Sequence, residues 1–224
     1  MPHLFHTLPL ELRIQIYSYI LPTYLRSANP LAPLAESPYQ RINDYSILNV
    51  NRATRIDAGM CYLRSRPFEL ITETARRDFE AFLDPFPGDQ GYASVKDLNL
   101  YRFFEDVLEG VGYGNMRLIL RCTHLCRLTL WFDSRFSVVD CNDVTSIVNE
   151  YQLHRLFALE HLLEIDLRWF FGWRKVGNSK CVEICDEDTE RTMRFAEAMG
   201  KVEKWLRLGF EQRGRNVEVR ICLR

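Results

Sequence analysis

Cysteines, histidines and close-set carboxylates are the residues through which this chain could do chemistry, so their spacing is read first. Cys122 and Cys126 are separated by three residues, as are Cys181 and Cys185, and His124 and His161 stand nearby in sequence. Four soft ligands could close a tetrahedral zinc site. Neither pair has the common C-x-x-C spacing, and Cys122 and Cys126 straddle the end of an expected helix and the start of an expected strand, so no metal site is expected. Seven cysteines is an odd number, and the opening MPHLFHTLPLELR lacks a basic segment followed by an unbroken apolar run. The expectation is free, buried thiols in a reducing cytoplasmic or nuclear setting. Gly110, Gly112 and Gly114 precede a candidate helix but follow Glu105, Asp106 and Glu109 instead of a strand, with no G-K-[ST] ending, so they read as a turn and not as a phosphate cradle. Glu164 and Asp166 share one side of an expected strand, which acid/base work requires but which does not suffice for it. No G-x-S-x-G, H-E-x-x-H or catalytic-cysteine signature is present, and no cofactor is expected.

The elements that must position these residues follow from composition and periodicity. The chain has 224 residues, 47% hydrophobic and 26% charged, enough to bury a sizeable core in one domain or in a small module joined to a larger one. Its 29 basic and 30 acidic residues give a formal net charge of -1. That balance removes the broad basic footprint of a protein that lives on nucleic acid or anionic lipid. No apolar run is long enough to span a membrane. Pro9 suits a first helical turn, Glu11 sits near the positive helix end, and Pro22 ends the helix at Leu21. At about 100° per residue, Leu10, Ile14, Tyr17 and Leu21 form one stripe and Leu12, Ile16, Tyr19 and Ile20 the opposite one. A helix apolar on two sides must bury both, within its own core or against another protein.

The segment Leu8 to Leu21, LPLELRIQIYSYIL, resembles the opening helix of the F-box, especially the LPxELRxxIYxxIL form found in F-box-like proteins of filamentous fungi. Ile47 to Ala58, ILNVNRATRIDA, is similar to a later helix of the same family. The resemblance implies a non-enzymatic adaptor that docks on the Skp subunit of a cullin-RING (SCF-type) ubiquitin ligase through Leu8, Pro9, Leu10, Ile14 and Tyr17. The rest of the chain would present an unknown protein substrate. Residues 22 to 45 depart from the family pattern, carrying Pro22, Pro30, Pro33 and Pro38 in a composition suited to an irregular loop. The alternatives are a stand-alone interaction domain with no ligase role and an uncharacterised enzyme.

Beyond residue 65 the pattern becomes α/β (or α+β), with strands at 67–71, 95–101, 125–132, 162–169 and 216–223 and helices at about 72–83, 115–122, 143–160 and 187–213. The division expected is an F-box-like helical module over 1–65 and an irregular leucine-rich-repeat-like array over 66–224. Three strands share an L-x-x-L-x-L kernel: Val95-x-x-Leu98-x-Leu100, Leu125-x-x-Leu128-x-Leu130 and Leu162-x-x-Ile165-x-Leu167. Residues between the kernel positions would line an open face in rows: Asn99, Thr129 and Asp166, then Tyr101, Trp131 and Arg168, then Phe103, Asp133 and Phe170. Tyr101, Trp131, Arg168 and Phe170 are the expected substrate contacts, because large aromatics and arginine combine burial with directional polar contact. Seven basic residues over 201–224, against three acidic ones, read as a solvated face.

Overall fold

The computed structural model describes residues 7–21, 51–101, 103, 114–133, 144–170 and 186–223, and side chains throughout these except at 133, 169–170, 186–192 and 223. The Pro-rich stretch, Ile47 to Val50, Gly110 and Gly112, Cys141, Cys181, Cys185 and residue 224 lie outside this set.

Helix α1 (Leu10–Ile20) begins directly after Pro9. Helix α2 (Arg52–Arg64) is capped by Asn51, whose side chain accepts from the Thr54 amide at 2.9 Å. Five strands follow: β1 (Pro67–Leu70), β2 (Asp97–Leu100), β3 (Arg127–Asp133), β4 (Glu164–Phe170) and β5 (Glu218–Leu223). Between them run α3 (Glu73–Leu83), α4 (Gln90–Ser94), α5 (Gly114–Arg121), α6 (Val144–Glu150) and α7 (Asp186–Glu211). Among the described residues the protein is mixed helix and strand, built on one five-stranded sheet.

All neighbouring strands are parallel, and their spatial order is their chain order. Parallel strands laid down in chain order by right-handed crossovers place their connecting helices on one side of the sheet, and the described helices pack there. The register aligns the kernel: Phe68, Leu98, Leu128, Ile165 and Val219 lie side by side, as do Leu70, Leu100, Leu130, Leu167 and Ile221. These residues face the helices and share one continuous core with Phe79 and Leu83 of α3, Leu118 and Ile119 of α5, Val148 of α6, and Val202 and Leu206 of α7. Tyr17, Tyr62 and Leu63 of the first two helices belong to the same core. Gly59 of α2 lies so close to Phe86 that a Cβ there would stand 2.5 Å from the ring. The two parts of the chain therefore share one core and meet closely at Gly59 and Phe86.

Three expectations need correction. The single helix over 143–160 is instead α6 followed by a 3-10 turn, Leu153–Ala158, because Gln152 adopts a left-handed conformation at φ 51° and breaks the α geometry between them. Phe103 does not lie on the open sheet face. β2 ends at Leu100, so the alternation stops, and the Phe103 ring packs against Phe132 and Tyr151 with centroids 6.1 and 6.3 Å away. Tyr17 is fully buried, which places it in the protein's own core and withdraws it from any docking face.

Candidate functional site

Two surfaces carry the residues singled out above, and α1 carries the first. Tyr17 and Leu21 are buried, and Arg13 reaches across to pair with Asp57 of α2. Arg66 donates to the carbonyl of Leu21 at 3.3 Å and lies over the Tyr62 ring. Burial raises the Tyr17 hydroxyl pKa, against the opposing pull of Arg13. These contacts hold the helix against α2 and the core. Apart from half-buried Ile16, the rest of its apolar surface faces outward: Leu10 is 48% exposed, Leu12 46%, Ile14 40%, Tyr19 82% and Ile20 51%. Of the eight large hydrophobic residues exposed among the described residues, five are on this one helix. Leu8 is half-buried and Pro9 exposed at its start. The stripe of Leu10, Ile14, Tyr17 and Leu21 is thus divided, its first half outward and its second half inward.

The second surface is the sheet face opposite the helices. The row Tyr101, Trp131, Arg168 and Cys222 runs from the residue just after β2 across β3, β4 and β5, with Trp131 opposite Arg168 and Arg168 opposite Cys222 in register. Tyr101 and Trp131 are stacked at 4.9 Å with planes 12° apart, and the Arg168 guanidinium lies 5.5 Å from the Trp131 ring centre. A tryptophan between a ring and a cation is held by offset stacking and cation–π attraction. Trp131 is only 8% exposed, and its indole Nε1 is buried with no hydrogen-bond acceptor among the described residues. The structure therefore brings Tyr101, Trp131 and Arg168 together. Phe170 lies in β4 with its backbone opposite Asp133, and its side chain is outside the described set.

Below this row the face is charged and largely self-neutralised. Arg127 pairs with Asp97 at 2.9 Å, and Asp166 receives Arg168 at 2.8 Å and Arg220 at 3.1 Å. Arg220 also pairs with Glu164. Sequence reading missed this network, although the alternating charges of Glu164, Asp166, Arg168, Glu218 and Arg220 contain it once the strands are placed side by side. Burial pushes the carboxyl groups of Glu69 and Asp97 above the ordinary range, opposed by Arg168 at Glu69 and by Arg127 at Asp97. The C-terminal basic residues are also committed to internal partners. Arg215 donates to the carbonyls of Phe157, Leu159 and Leu162, Arg213 to that of Gly209, and Lys201 pairs with Glu197.

His124 and His161 occupy equivalent places in two successive units, and their rings meet edge to face at 4.7 Å. Cys122 is fully buried, and desolvation drives its thiol pKa far upward. Among the described residues no three potential metal ligands converge. Nor is any described helix long and apolar enough to cross a membrane. No known family model, curated protein or solved structure matches this chain.

Proposed function

We propose that this protein is a non-enzymatic interaction adaptor of the F-box-like kind, recruiting a protein substrate to a cullin-RING ubiquitin ligase in the cytoplasm or nucleus. The observation that carries the reading is the outward apolar surface of α1. Its exposed Leu10, Leu12, Ile14, Tyr19 and Ile20 present apolar surface that water disfavours and a partner would cover. Leu8, Pro9, Leu10 and Ile14 contact the Skp-type adaptor, while Tyr17 acts from inside by fixing the helix to the core. The parallel array, with its kernel residues aligned and its helices on one side, supports a leucine-rich-repeat-like scaffold. Its open face, at Tyr101, Trp131, Arg168 and Phe170, receives the substrate.

The test is co-purification of the full chain with Skp, alongside Leu10→Asp and Ile14→Asp. Both positions are exposed, so both variants fold. Wild-type binding lost in both variants supports the adaptor. Failure of the wild type, under conditions where another F-box protein binds, removes the ligase role and leaves a stand-alone interaction domain.

A further inference from the structure

Among the described residues β5 is an edge strand of the sheet, and the chain guards it. Among the described residues β5 has a strand neighbour on one side only, β4. The amide of Glu218 donates to the Leu163 carbonyl at 2.8 Å, so the backbone of Glu218, and by alternation of Arg220 and Cys222, points toward β4. Val217, Val219 and Ile221 therefore turn their amides and carbonyls outward, which is the arrangement that invites strand addition. One of these carbonyls is already taken. Arg207 of α7, held by Glu203 one turn earlier, donates through Nη2 to the oxygen of Val219 at 3.1 Å.

We propose that the β5 edge is a latent self-association surface whose complement is β5 of a second copy, and that Arg207 holds it shut. The occupant follows from charge and register. Two β5 strands brought together antiparallel about a two-fold axis at Val219 would pair Val219 with its own copy and Val217 with Ile221, all through outward backbone groups. That register sets Glu218 opposite Arg220 on the sheet face, twice. Cross-strand opposite charges favour a pairing and like charges oppose it. A shift of the axis to Arg220 would stack arginine on arginine and present inward-turned backbone groups, so Val219 is the self-complementary centre. Arg207 sits on the central carbonyl of this register.

Sedimentation equilibrium of the full chain tests the guard. Arg207 is half exposed, and Arg207→Met keeps its apolar stem, so the variant folds. Wild type is expected to be monomeric, Arg207→Met to dimerise at least about tenfold more tightly, and Arg207→Lys, which keeps a cationic donor, to stay close to wild type. In the Arg207→Met dimer the amides of Val219 and Ile221 gain protection from hydrogen exchange. Adding Glu218→Arg to Arg207→Met sets arginine against arginine and returns the monomer. A folded Arg207→Met that associates no more than wild type overturns the guard, as does a wild type already paired through β5. Association of Arg207→Met that Glu218→Arg leaves untouched overturns the Val219-centred register.

Discussion

Arg215 shows how much one side chain can organise. Its guanidinium donates to three backbone carbonyls, those of Phe157, Leu159 and Leu162, closing the stretch between the 3-10 turn and β4 with a residue more than fifty positions later. A single planar fork satisfies acceptors that no regular element supplies. Arg215→Ala is expected to lose about 3 kcal/mol of stability, and Arg215→Lys to recover only part, since an ammonium lacks the fork geometry. Urea unfolding of the two variants measures this. Glu69 gives a pH prediction of opposite character. Its folded pKa is raised, so the stability it contributes is present at low pH and lost as the pH climbs through the folded value. Glu69→Gln should therefore gain on wild type as the pH rises above the ordinary glutamate value of about 4.3. A difference between the two proteins that stays constant over that range counts against the assignment.

At the scale of elements, α1 divides its labour along its length. Tyr17→Ala removes a fully buried ring and is expected to cost about 3 kcal/mol or more, whereas Leu12→Gln on the outward side should stay within about 0.5 kcal/mol. Chemical denaturation of both variants reads the asymmetry. Sequence periodicity located this helix but could not say which stripe faced inward, because both are apolar and the choice depends on where α2 lies. The strands were more legible. Each begins within two residues of the expected start, since Leu98, Leu128 and Ile165 stand in alternation that only an extended chain can use. The break at Gln152 was not legible, as no glycine or proline marks it. Trp131 was legible as a face residue but not as a covered one. It packs against Tyr101 and Arg168, neighbours brought to it by register, which no single strand contains.

For the whole molecule, the continuous core and the close approach of Gly59 to Phe86 argue for one cooperative unit instead of two independent ones. Tryptophan fluorescence and far-ultraviolet circular dichroism are expected to report a single coincident unfolding transition, and separated midpoints would reveal independent parts. Gly59→Ala, which drives a methyl into the Phe86 ring, should cost about 1 to 3 kcal/mol of stability and so lower that shared midpoint without splitting it. The order of the strands carries a further consequence, in time. Asp97 pairs opposite Pro67, 30 residues earlier; Arg127 opposite Asp97, 30 earlier; Glu164 opposite Arg127, 37 earlier; and Glu218 opposite Glu164, 54 earlier. Each described strand after β1 finds its template already synthesised, so the sheet can grow one strand at a time as the chain leaves the ribosome, with β5 the last of these five to be added.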